Sequence, residues 1–136
     1  MTKVRKHAVA AATFFAHVLK IDKYDATINV VFKKDLTEES GFLACAKHVN
    51  KRRVNITIDA HIHPDLLLQT VAHEMVHAKQ YIKGELSVSK KGYCLWKNKT
   101  VDADLPYHKE PWEVEAMKKE AILAHRYVAF IQAAKS

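Results

Sequence analysis

Asp65-Leu66-Leu67-Leu68-Gln69-Thr70-Val71-Ala72-His73-Glu74-Met75-Val76-His77-Ala78-Lys79-Gln80-Tyr81 carries the pattern H-E-x-x-H in a run without internal proline or glycine. Pro64 stands at the favoured first-turn position with Asp65 behind it, and Gly84 is a natural C-terminal stop. The spacing therefore predicts a helix over about 64–83. Side chains four apart on a helix lie one turn apart on the same face. His73 and His77 thus present two imidazoles to one Zn²⁺ from a single side, and Glu74 sits beside the metal, placed to take a proton from water. A helix with two solvated or core histidines would show the same five letters. The capped helical setting favours the metal.

Working outward, the chain has 136 residues, enough for one domain with a core of its own, and 1–136 is read as a single unit. It is 49% hydrophobic with three glycines and three prolines, which excludes a disordered or low-complexity polymer. Cys45 and Cys94 form neither a disulfide framework nor a C-x-x-C site. Both fall in strand-like segments and are expected to be buried thiols in a reducing compartment. Lys3, Arg5 and Lys6 ahead of the apolar stretch from Ala8 to Ala16 imitate a signal peptide. His17 and Lys20 interrupt that run, and Val4, Ala8, Ala11, Phe15 and Val18 recur at helical spacing, as in an amphipathic domain helix. The expectation is a soluble cytoplasmic chain, with no stretch long enough to span a membrane. The net charge of +7 comes from short clusters such as Lys51-Arg52-Arg53, Lys90-Lys91 and Lys118-Lys119. Such spacing suits a solvated surface and permits a nucleic acid or other polyanion as partner without identifying one.

Along the chain, a first helix is expected at about 3–20. Strands follow at Thr27–Phe32, Phe42–Lys47 and Val54–Asp59, with a turn region at Leu36–Gly41 between the first two. Val54, Ile56 and Ile58 alternate onto one face of the third. These segments suggest a small, mostly antiparallel sheet. Beyond the motif helix, a loop-rich stretch from Glu85 to Lys109 contains a possible hairpin about Lys97-Asn98. A long helix then starts near Pro111, with an apolar stripe expected at Met117, Ala121, Ala124, Val128 and Ile131. The fold class is α+β.

Catalytic zinc usually has three protein ligands and a water. The H-E-x-x-H-x-x-G-x-x-H extension fails here, because Gln80 and Lys83 occupy its glycine and third-histidine positions. The last helix offers acids instead. Four residues before Met117 comes Glu113, and Glu120 lies seven further on along the same face. Carboxylates turned toward a core are costly unless a cation receives them. Glu115 has Lys118 and Lys119 beside it, so an exposed ion pair would account for it. Periodicity favours Glu113 as third ligand. Glu115 is the fallback, and His108, in the loop before the helix, is the rival of another chemical type. His61 and His63 are too close to the motif helix to fold back onto His73, and are expected at an edge or a helix cap.

His73-Glu74-Met75-Val76-His77-Ala78-Lys79-Gln80, followed by Tyr107-His108-Lys109-Glu110-Pro111-Trp112-Glu113-Val114-Glu115-Ala116, resembles a set of small zincin metallopeptidases, often phage-encoded. These are related to the SprT-like and minimal gluzincin groups, and pair H-E-x-x-H with a downstream Y-x-x-x-P-W-E-x-E-A. The resemblance covers both motifs and the order of elements. It implies a zincin-like domain with N-terminal helix, small sheet, H-E-x-x-H helix, loop and closing helix, and a glutamate as third ligand, which maps to Glu113. The SprT-like branch proper uses a third histidine, for which this chain has no matching motif. The thermolysin-like pattern also places an aspartate four residues after the ligand glutamate. Met117 stands there, so support for the ligands is expected from elsewhere, with Glu120 the candidate.

The expected activity is hydrolysis of a peptide bond in a peptide or protein substrate. His73, His77 and Glu113 would hold Zn²⁺, Glu74 would be the general base, and Tyr107 and His108 are the candidate donors to the oxyanion. The strand Val54–Asp59 is expected to edge the cleft and to pair with an extended substrate, and Trp112 to anchor the core. Two other classes stand beside this one. They are a non-catalytic zincin-fold module that binds a partner protein or nucleic acid, and a DNA-stimulated SprT-like protease. Glu74 speaks for catalysis, since a purely structural metal needs no base beside it.

Overall fold

The computed structural model describes residues 2–135 and is α+β. In chain order its elements are α1 (Lys3–Val18), β1 (Thr27–Lys33), α2 (Leu36–Ser40), β2 (Ala44–Asn50), β3 (Arg53–Asp59), α3 (Pro64–Ile82), β4 (Leu86–Val88), β5 (Cys94–Trp96), β6 (Lys99–Thr100) and α4 (Pro111–Lys135). A single 3₁₀ turn, Tyr107–Lys109, leads into α4.

The motif helix α3 is the axle. His63 caps it, with its Nδ1 accepting the Asp65 N–H at 3.1 Å, and Pro64 opens the first turn. Beyond its last turn Gly84 takes φ +73°, the left-handed conformation that ends helices at little cost to glycine. From Val71 to Gln80 every residue except His73 is buried. The cause is position: α1, α4 and strands β2 and β3 of the first sheet all pack against α3. Polar side chains on such a helix must find partners inside the protein.

The first sheet has the order β1-β3-β2. A two-residue connection at Lys51-Arg52 turns β2 directly back into β3, so those strands pair antiparallel, with Ala46 opposite Ile56. β1 lies on the other side of β3 and runs parallel to it, Val30 opposite Ile56. The sheet is therefore mixed, where the local patterns suggested mostly antiparallel pairing. Strand patterns report which face is buried and say nothing about the direction of a neighbour. Val54, Ile56 and Ile58 are fully buried, as their alternation predicts. Each contributes roughly 1.5–3 kcal/mol by leaving water, which explains why β3 is central. The second sheet, β4-β5-β6, is antiparallel throughout. Its β5–β6 hairpin turns at Lys97 and Asn98, both with positive φ (51° and 69°), as expected of a tight two-residue hairpin.

Other expectations need correction. The first helix stops at Val18, and β2 lies two to three residues later than the apolar run Phe42–Lys47 suggested. Leu36–Gly41 is not merely a turn: α2 forms there because the buried Asp59 carboxylate accepts the Thr37 backbone N–H at 3.0 Å and the Thr37 hydroxyl. Cys45 and Cys94 lie in strands but are exposed free thiols, because β2 and β5 turn them away from the core. In α4 the buried face is Glu113, Ala116, Leu123 and Tyr127, while Met117 and Val128 are 40% and 39% exposed. Apolar residues occur all round this helix, so periodicity alone does not choose its phase. Packing of Tyr127 against the rings of Phe14 and Phe15 on α1 does. Among the described residues no helix is long and apolar enough to cross a membrane.

Candidate metal centre

Two helices build the site. α3 presents His73 and His77 one turn apart, with their ring centroids 4.8 Å from each other. α4 begins at Pro111 and offers Glu113 from its first turn. Glu113 Oε1 lies 3.0 Å from His73 Nε2 and 3.2 Å from His77 Nε2, and the two Nε2 atoms are 3.2 Å apart. Donors held about 2.0–2.1 Å from a tetrahedral ion lie roughly 3.3 Å from one another, so this near-equilateral triangle fits one small divalent cation. His73, His77 and Glu113 are, among the described residues, the group whose chemistry and spacing suit a metal ion. Of the three carboxyl or imidazole candidates for the third position, the structure brings Glu113 to the histidines. Glu115 points elsewhere, and His108 is exposed in the 3₁₀ turn with no contact to the cluster.

Each ring is held from behind. Glu120, seven residues along α4 from Glu113, lies 3.5 Å from His73 Nδ1 through Oε1, and Gln69 Nε2 donates to its other oxygen at 2.9 Å. Gln80 does the corresponding work for His77. Its Nε2 donates to the Trp112 carbonyl at 2.9 Å and to Glu115 Oε1 at 3.0 Å, which orients the amide. Its Oε1 must therefore face His77 Nδ1, 2.8 Å away, and accept the Nδ1 proton. That hydrogen bond fixes the tautomer and leaves the Nε2 lone pair for a metal.

Gln80 is fully buried and was missed by sequence reasoning. The available signal was an amide three residues after the second histidine, on the same flank of a helix. Lys79 was missed too. Its buried ammonium lies 2.7 Å from Glu115 and 2.8 Å from Glu85. Glu115, expected in an exposed pair with Lys118 and Lys119, is half-buried and held by Lys79, Gln80 and Lys119. Burial alone would raise its pKa, but hydrogen bonds from Lys119, Lys79 and Gln80 bring it down to about 2.

The potential inside the cluster is negative. Burial would lower the pKa of both imidazoles, yet the hydrogen bond to Glu113 and the nearby carboxylate charges raise them. Burial would raise Glu113, but hydrogen bonds and charge from His73 and His77, with the Tyr107 hydroxyl, hold it far below the usual carboxylate range. A pocket that favours protons on its imidazoles favours a bound cation for the same reason. Burial pushes Glu74 upward, partly countered by His77 and His73. Tyr107 donates its hydroxyl to Glu113 Oε1 at 2.9 Å. Burial, that bond and the charge of Glu113 raise its pKa, so it stays a phenol and a donor.

A cavity of about 240 Å³ opens over the cluster, walled by Ala44, Cys45 and Ala46 of β2, Tyr81 of α3, Leu86 of β4, and Tyr107 and Trp112. The wall strand is β2. The expected edge, Val54–Asp59, is β3, which is flanked on both sides and has no free edge. Trp112 is half-buried and lines the cleft, so it is not a pure core anchor. His63 caps α3 as expected, and His61 lies outside the cluster. Comparison with protein-family profiles, with curated proteins and with solved structures finds no match to this chain, so what the site does is argued from its own side chains.

Proposed function

We propose that the protein is a zinc-dependent peptidase of the zincin type, with His73, His77 and Glu113 as the metal ligands and Glu74 as the general base. The observation that carries the reading is the convergence of two imidazoles from α3 and a carboxylate from α4, 3.0–3.2 Å apart, with a buried glutamate between the histidines in sequence. Two histidines and a glutamate are a donor set of catalytic zinc sites. Zinc held there supplies a Lewis acid that acidifies water and polarises a carbonyl.

The rest of the chemistry belongs to the chain's own groups. Glu74 is buried at the floor of the cleft, and burial raises its proton affinity, which suits a group that must take a proton from water and return it to the leaving amine. Tyr107 remains a phenol in the cleft wall, and rotation of its O–H away from Glu113 Oε1 would turn its one proton to a substrate oxygen that gains negative charge. Gln80 and Glu120 keep the histidine rings turned, so little reorganisation is needed when substrate enters. β2 has one free edge beside the cleft, where an extended polypeptide can add as a further strand.

The test is a digest of a broad peptide library with and without chelator, together with metal analysis of the purified protein. Glu74→Gln should abolish turnover and leave metal content nearly unchanged. Full turnover in the pure variant overturns the base assignment. A protein that holds zinc but cleaves nothing, wild type or variant, supports instead a non-catalytic binding module.

A further inference from the structure

Beyond the wall of the cleft lies a second concavity, of about 440 Å³, between the β5–β6 hairpin and the start of α4. Its floor is Trp96, Pro111 and Val114, and its rim carries Lys97, Lys109, Lys118 and Lys119. Four ammonium groups face a single carboxylate, Glu115, and that carboxylate is already neutralised by Lys79 and Lys119. Lys97, Lys109 and Lys118 are exposed and have no carboxylate partner among the described residues. Like charges gathered without counterions raise one another's energy, and an anion placed among them relieves it.

The groove adjoins the cleft. Trp96 of its floor and Trp112 of the cleft wall have ring centroids 6.4 Å apart, and Lys109 follows Tyr107 by two residues in the same turn. We propose that this groove binds an acidic segment of the polypeptide whose scissile bond lies in the cleft, making the protein selective for substrates with a glutamate- or aspartate-rich stretch beside the cut. The inference rests on the peptidase reading. An apolar floor under a cationic rim fits an extended peptide that alternates acidic and apolar side chains. It fits a nucleic-acid strand less well. Single strands bind by stacking bases on free aromatic faces, and the Lys97 ammonium lies over the Trp96 ring, 5.4 Å from its centroid.

The experiment measures fluorescence anisotropy of a labelled peptide alternating glutamate and leucine, against the same peptide with glutamine. The proteins are wild type, the charge-reversal variant Lys97→Glu/Lys109→Glu/Lys118→Glu, and the milder Lys→Gln triple. Lys119 is left intact because it pairs with Glu115. The wild type should prefer the acidic peptide, with affinity falling as salt rises. Charge reversal should weaken that binding about tenfold or more and leave the glutamine peptide unaffected, with the Lys→Gln triple in between. In hydrolysis, an acidic flank should lower KM in the wild type, less in the Lys→Gln triple and not in the charge-reversed variant, with kcat unchanged. Equal binding of the acidic peptide by all three proteins overturns the proposal. So does displacement of that peptide by a single-stranded oligonucleotide at lower concentration, which would assign the groove to nucleic acid. Binding without any hydrolysis would sink the peptidase reading and, with it, the assignment of the segment to a substrate, while hydrolysis without acidic preference would sink the groove alone.

Discussion

The two halves of α4 are held in opposite ways. Over its first ten residues each buried or half-buried acid has named partners: Glu113 has His73, His77 and Tyr107; Glu115 has Lys79, Gln80 and Lys119; Glu120 has Gln69 and His73. The second half is held by Leu123, buried in the hydrophobic core, and by Tyr127, which meets the rings of His7, Phe14 and Phe15 on α1. Directed contacts at one end set a geometry to within fractions of an ångström. Burial at the other end supplies free energy without insisting on direction. One helix thus separates the part that makes a site from the part that makes the protein stable.

The widest contrast comes from substituting one residue in each half. Glu113→Ala should reduce zinc affinity by more than the roughly 100-fold that loss of an outer partner costs, while costing the metal-free protein only the hydrogen bonds that His73, His77 and Tyr107 share with the Glu113 carboxylate. Tyr127→Ala should do the reverse, costing about 3–5 kcal/mol of stability through lost burial and the cavity left behind. Competition with a chromogenic chelator and denaturant melts of the metal-free proteins read the two quantities. If the two variants lose stability and affinity in equal proportion, the division of the helix is wrong.

A smaller effect sharpens the polar side of the comparison. Gln80→Leu keeps the volume but removes the acceptor at His77 Nδ1 and the donors to Trp112 and Glu115. Zinc affinity should fall about 10–100-fold, with a modest loss of stability from the orphaned carbonyl. Gln80→Glu, which restores the acceptor at His77, should recover part of the affinity. Failure of that recovery would mean that the donors to Trp112 and Glu115 matter more than the acceptor at His77.

The smallest effect lies at acid pH. The pKa of Glu115 falls from an ordinary 4.5 to about 2 in the folded chain. A group depressed on folding contributes stability that is complete above its unfolded pKa and is lost as pH falls through the folded one. The contribution from Glu115 should therefore be whole above about pH 4.5 and fade toward about pH 2. Glu115→Gln should flatten that part of the stability profile in thermal melts and leave the neutral region nearly level apart from the cost of the unpaired Lys79.

Much of the candidate site is legible in the sequence alone. The H-E-x-x-H run, the cap at His63-Pro64 and the stop at Gly84 are local signals, and the helix obeys them. The hairpin at Lys97-Asn98 and the alternation of Val54, Ile56 and Ile58 are local too. The periodicity that points to Glu113 runs through Met117, which is exposed, so that stripe is out of phase with the helix. What survived was the seven-residue relation to Glu120, because residues two turns apart share a face whatever the phase. Lys79 and Gln80 were invisible, since nothing in their neighbourhood in sequence announces that α4 will cover them.

The sequence by itself determined the local matters: where α3 begins and ends, that His73 and His77 share a face with Glu74 between them, and which side of β3 faces inward. These depend on backbone geometry and on side chains within one or two turns of each other. Only the tertiary structure decided that β1 runs parallel to β3, that β2 and not β3 borders the cleft, that α4 turns Glu113 toward the histidines, and that Gln80 fixes the ring of His77. Those outcomes depend on contacts between residues tens of positions apart, and helix phase and strand order follow from the packing of whole faces rather than from local periodicity.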